Sequence, residues 1–156
     1  MADVDDREKN GSAPVKNMLT YYCPNCWEMV AAEDEKCPKC GFFLKNFDET
    51  DYEEKLIAAL HHPVSERRIM AAEVLGNRGS RRALPEFKKI LSSGEMNYYI
   101  LRSVLMAIMK IEDPEREKLL RQALVHPSDL AAGLAKELLG KLSSKANMDQ
   151  WDRQTG

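Results

Sequence analysis

The chain repeats itself at a fixed interval, and that interval limits its fold more than any other feature. Ala59, Leu60, His61, His62, Pro63 realigns on Ala123, Leu124, Val125, His126, Pro127 at an offset of 64 residues, and Leu75 with Gly76 falls on Leu139 with Gly140 at the same offset. Half that interval places a middle copy, with Ile90 and Leu91 in the first-helix position and residues 104–111 in the second. Within each copy apolar residues recur at three and four positions, the period of a helix. A pair of short helices cannot bury its apolar face alone. Three pairs stacked side by side can, and the fold this predicts is all-α, a short solenoid of three helix pairs.

Turn and capping residues divide the copies. Thr50 with Glu53 reads as a capping box opening a helix that runs to about Leu60, closed by His61, His62 and Pro63. Ser65 reads as the cap of the second helix, which passes through Ile69, Ala71, Ala72, Val74 and Leu75 and stops at residues 76–79. The third begins after Ser80 and takes Pro85 in its first turns, where a missing N–H costs nothing. The fourth spans about 97–111; Asp113 and Pro114 open a fifth, and Ser128 opens a sixth that ends at Leu142. The repeats fall at about 52–79, 80–112 and 113–142, within a domain of 48–142. Residues 1–20 and 143–156 lack periodicity and read as flexible tails, with Trp151 either a stray or an anchor.

Ahead of the repeats, residues 21–47 hold all four cysteines as two CxxC pairs: Cys23, Pro24, Asn25, Cys26, and Cys37, Pro38, Lys39, Cys40. A spacing of two turns both sulfurs of a pair toward one ion, and two pairs complete a tetrahedron. Such a set is closed, so one bound ion is structural rather than catalytic. Soft thiolates in a tetrahedron suit Zn2+, with iron as the rival. Two redox-active CxxC pairs are the other alternative, but each would belong in a βαβ setting that the pattern lacks. Tyr21, Tyr22, Trp27, Met29, Val30, Phe42, Phe43 and Leu44 read as a minimal core around the ion, or as a contact surface.

This stretch resembles the short zinc ribbons found at the ends of many bacterial and archaeal proteins, with the CPxCG knuckle complete at Cys37 to Gly41. In the first knuckle Trp27 stands where a glycine commonly supplies the left-handed turn residue. The helical region, through the pattern AL-x-HP, R-x-x-A-x-x-LG and ALP-x5-L, resembles the HEAT repeats also called PBS-lyase-like. Arg68 and Arg102 match the arginine that begins the family's second helix, and Ala132 stands there in the third copy. The resemblance implies a curved solenoid whose second helices line a concave binding face, generally for proteins and sometimes for nucleic acid.

Charge narrows the partner class. The whole chain sums to -2, but residues 58–94 carry seven bases against three acids, after an acidic link of Asp48, Glu49, Asp51, Glu53 and Glu54. The basic set Arg67, Arg68, Arg78, Arg81, Arg82, Lys88 and Lys89 is the candidate partner-binding surface, for an acidic protein face or for phosphates, against the plain reading of solvated helix charges. The acidic run favours the first helix's N-terminus and can shield the arginines.

His62 and His126 precede the proline of the same turn, so a structural turn role explains them better than a second metal pair, and His61 follows them. No nucleophile lies outside the four metal cysteines, which argues against a chromophore lyase and against any enzyme. With no apolar stretch fit for a signal peptide or a membrane span, the expectation is a soluble cytoplasmic protein. The function expected is a zinc-binding, non-catalytic protein adaptor; the alternative is nucleic-acid or ribosome binding through the ribbon and the basic residues of 67–89.

Overall fold

The computed structural model describes residues 21–48 and 50–155. The tail expected at 1–20 lies outside these described residues. A two-stranded antiparallel sheet, β1 (Tyr21–Tyr22) with β2 (Met29–Val30), pairs Tyr21 with Val30 and Tyr22 with Met29. Among the described residues seven helices follow: α1 (Leu44–Asp48), α2 (Tyr52–Ala59), α3 (Ser65–Asn77), α4 (Leu84–Ser92), α5 (Tyr98–Lys110), α6 (Glu115–Ala123) and α7 (Asp129–Thr155), with a 3-10 turn, Arg81–Ala83, leading into α4.

The helices form two layers. The second helices pack in sequence, α3 on α5 and α5 on α7, while α4 and α6 pack on each other and, with α2, form the other layer. Helix α5 lies at the centre, so three of its sides are covered: Ile100, Leu101, Ser103, Val104, Leu105, Ala107 and Ile108 are all buried. Phe87, Leu60, Leu75, Leu119, Leu120 and Leu138 complete one continuous core. Gly76 is where α3 and α5 approach most closely. A Cβ there would stand 2.6 Å from the Ala107 Cα, so only hydrogen fits. Gly140, its repeat partner, has nothing within 4 Å of the same position, because no helix among the described residues packs against that side of α7.

Several helix ends differ from the sequence expectation. Helix α2 is capped by Asp51, whose side chain accepts from the Glu54 N–H at 2.9 Å. Thr50 instead donates to the Phe47 carbonyl at the end of α1, since the acidic stretch holds two overlapping capping frames and α1 claims the first. Ser65 is the first residue of α3 rather than its cap. His62 takes over part of that duty, its Nδ1 accepting the Val64 N–H at 3.0 Å, and His126 does the same for Ser128 at 3.1 Å. The turn role expected of both histidines is therefore what they perform. The ring proton sits on Nε2 in each.

The expected helix end at Leu142 is corrected: α7 continues to Thr155. No glycine or proline follows Gly140 before 155, and the intervening residues are mostly good helix formers. Lys141 also pairs with Glu137 one turn back. Arg102 is the second correction. Arg68 points inward, its Nε donating to the Leu60 carbonyl at 2.9 Å and its guanidinium pairing with Glu95 at 2.8 Å. Arg102 is exposed and makes neither bond. Counted at the repeat interval of 32, the equivalent of Arg68 is the buried Ile100, so the two arginines lie on different faces of their helices.

Candidate metal centre and docked ribbon

The two knuckles have the same backbone. Trp27 N–H donates to the Cys23 carbonyl at 2.8 Å and Gly41 N–H to the Cys37 carbonyl at 2.9 Å; Cys23 N–H reaches Glu28 and Cys37 N–H reaches Phe42, both at 2.9 Å. This turn needs a left-handed residue at its fifth position. Gly41 supplies it with φ +74°, and Trp27 adopts it too, at φ +58°. A side chain in that region costs about 1 kcal/mol or more, so something must hold Trp27 there.

The fold brings the four sulfurs of Cys23, Cys26, Cys37 and Cys40 within 4.8 Å of one another. Cys23 to Cys40 and Cys26 to Cys37 are each 3.6 Å apart. That is far beyond the roughly 2.05 Å of a disulfide, and close to the roughly 3.8 Å between sulfurs around an ion that each thiolate holds at about 2.3 Å. The donor set thus fits a four-thiolate metal ion. The Asn25 side chain, with the Phe42 backbone, lowers the Cys40 thiol to about 6. Burial raises Cys23. A backbone hydrogen bond at Glu28 pulls Cys26 down, yet burial and the other three thiols hold it at about 12. A thiolate is therefore favoured at Cys40 while Cys23 and Cys26 hold their protons more tightly, and an ion binding there must displace those protons.

Around this centre the ribbon has almost no core of its own. Tyr21, Met29 and Phe43 are exposed, and Tyr22, Trp27, Val30, Phe42 and Leu44 are half-buried. Lys39 spans the knuckles to Glu28 at 2.6 Å, and Lys36 lies over the Phe43 ring at 4.3 Å. What the sequence reading missed is the use of Tyr22 and Trp27. Both meet His62 edge-on, with ring centroids at 4.8 Å and 5.2 Å. Across a cavity of about 200 Å³ the ribbon faces Lys55, Ala59, His62 and Arg67. At the repeat offset those positions become Leu119, Ala123, His126 and Ala131, all buried against the preceding helices. The ribbon sits on the first repeat where a preceding repeat would otherwise sit, as its N-terminal cap. Burial and the nearby Arg67 charge lower the His62 pKa, so its imidazole stays neutral in this contact.

The seven basic candidates do not form one free surface. Arg68 is committed internally, as above. Arg82 pairs with Asp51 at 3.1 Å, Glu53 at 3.0 Å and Glu54 at 3.5 Å, so the acidic link does shield it. Ser80 completes this group by donating to Glu53. Arg81 donates to the Glu112 carbonyl at 2.9 Å, Lys89 pairs with Glu86 at 2.5 Å, and Arg78 stacks over Tyr52 at 5.5 Å. Arg67 and Lys88 are exposed without an ion pair among the described residues.

A three-pair helical solenoid bearing a cluster of four cysteines defines a repeat protein with a donor set able to hold a metal ion. A family model for HEAT repeats matches residues 53–140, more than half of the chain, and the chain belongs to the HEAT-repeat family. Neither the curated proteins nor the solved structures provided a match. Among the described residues no helix is long and apolar enough to cross a membrane.

Proposed function

We propose that this chain is a non-catalytic adaptor whose three HEAT repeats take a partner protein on their concave face, with Zn2+ holding the ribbon in place as the N-terminal cap. HEAT repeats suggest a protein-interaction scaffold in general. One observation carries the reading here. Among the described residues, the side of α5 left open by α3, α4, α6 and α7 presents Tyr99, Arg102, Met106 and Lys110, and the adjoining helices add the exposed Met70 and Leu130. Methionine and tyrosine side chains in such a strip adapt to an apolar partner.

Zinc is the ion of choice for four thiolates in a closed set, where it stabilises the fold without an open position for substrate. Four unbridged thiols suit a reducing compartment. The internal pairing of Arg68, Arg81, Arg82 and Lys89 counts against the phosphate-binding alternative. Purification of the chain from its native cell with nuclease treatment, beside a Met70→Asp, Leu130→Asp double variant, is the test. A stoichiometric protein that survives nuclease and is lost with the variant is expected; a catch that disappears with nuclease would replace the adaptor by a nucleic-acid binder.

A further inference from the structure

Lys110 Nζ donates to the Asn77 side chain at 2.7 Å, which ties α3 to α5 on the side of α5 left open. Two turns toward the N-terminus of each helix, Met70 and Arg102 come level. Tyr99 and Met106 flank Arg102 at i-3 and i+4 on the same face of α5. Tyr99 and Met70 are exposed at 71% and 63%, and Met106 is half-buried. Arg102 therefore stands among apolar side chains with no hydrogen bond or ion pair among the described residues. Arg67 and Arg116 also lack an ion pair among the described residues, but Arg67 faces the aromatic rings of the ribbon across the small cavity, away from this strip, and Arg116 lies among Glu112, Asp113 and Glu117. On α3, Glu66 and Glu73 lie at i-4 and i+3 of Met70, exposed and likewise unpaired.

Resting on the concave-face reading above, we propose that this face receives an apolar peptide segment that carries a carboxylate for Arg102 and a basic residue for Glu66 or Glu73. An arginine ringed by apolar groups suits a bidentate carboxylate contact, because the surrounding methionines and tyrosine exclude water from it once the partner is seated. Packed helices lie about 8–10 Å apart, so the partner's acid and base stand roughly one helix spacing apart. The two carboxylates on α3 make the same face a poor one for a phosphate backbone, and they give the partner's orientation a sign.

The test is selection of a displayed random-peptide library on the intact, zinc-loaded chain, beside Arg102→Glu and Met70→Asp. Both positions are exposed, so the variants should melt with the parent. Peptides enriched on the parent should share an Asp or Glu within an apolar run and bind Arg102→Glu at least about tenfold more weakly, while Arg102→Glu should itself select Lys or Arg at that place. Peptides lost on Met70→Asp but indifferent to Arg102→Glu would overturn the proposal and leave the concave-face reading intact. No enriched peptide, or peptides indifferent to both variants, would overturn both. A random single-stranded RNA that binds the parent and fails on Arg102→Glu would reassign Arg102 to phosphate.

Discussion

The indole of Trp27 meets the imidazole of His62 edge-on at 5.2 Å, and this contact joins the four-cysteine ribbon to the first repeat. It also accounts for an indole at φ +58°: the strained backbone is held because the ring it carries is seated. Trp27→Gly and Trp27→Ala separate the two effects. Both lose the ring, but glycine adopts the left-handed turn freely. The glycine variant should be more stable than the alanine variant by about 1 kcal/mol, and both less stable than the parent. Urea unfolding of the metal-loaded chain measures this, and equal midpoints for the two variants would show that the turn stores no strain.

Metal removal should act on one end of the molecule. Chelation, or Cys37→Ser, takes away the ribbon's main source of folding free energy, while the helices keep their own core. Most of the helical circular dichroism should remain, and amide exchange should quicken in residues 21–44 and in α2, whose outer side the ribbon covers. Loss of the entire helical signal would mean that the cap and the solenoid fold as one unit.

Gly76 and Gly140 occupy the same place in their repeats and should respond oppositely to alanine. At Gly76 the new methyl meets the Ala107 backbone, so α3 and α5 must part, at a cost of about 1–3 kcal/mol. At Gly140 it meets nothing, and helix propensity should give a gain of up to about 1 kcal/mol. Denaturation midpoints decide both signs.

The Arg68–Glu95 pair should make stability depend on pH. Burial pushes the Glu95 carboxyl up, but hydrogen bonds from the Asn97 backbone and from Arg68, with the Arg68 charge, bring it below its ordinary value of 4.5. Its contribution is thus present above that value and is lost as pH falls through the lower, folded-state pKa. The stability difference between the parent and Glu95→Gln should be largest near neutral pH and shrink below about pH 4.5. A difference that grows on acidification would contradict the pairing. Because both proteins carry the same thiolates, acid effects on the metal site cancel in the comparison.

Local patterns were enough to read the parts. The CxxC pairs fixed the four donor residues because the knuckle turn is a matter of two-residue spacing, and helical period with capping residues located six helices because those signals act within a turn or two of chain. The same locality explains the misplaced ends: Thr50 and Asp51 are both competent caps, and only the arrival of α1 selects Asp51. A two-residue difference in register also decided which arginine faces inward, and packing of α5 between α3 and α7 settled that in favour of Arg68 while turning Arg102 to solvent. The pairing of Arg82 with three carboxylates about 30 positions upstream, and the seating of Tyr22 and Trp27 on His62, join residues that no short-range pattern connects. The sequence by itself determined what the modules are, since their chemistry lies in neighbouring residues. Only the tertiary structure decided which charges are already neutralised, which face stays open and how the ribbon caps the repeats, because burial and pairing depend on side chains brought together by the packed helices.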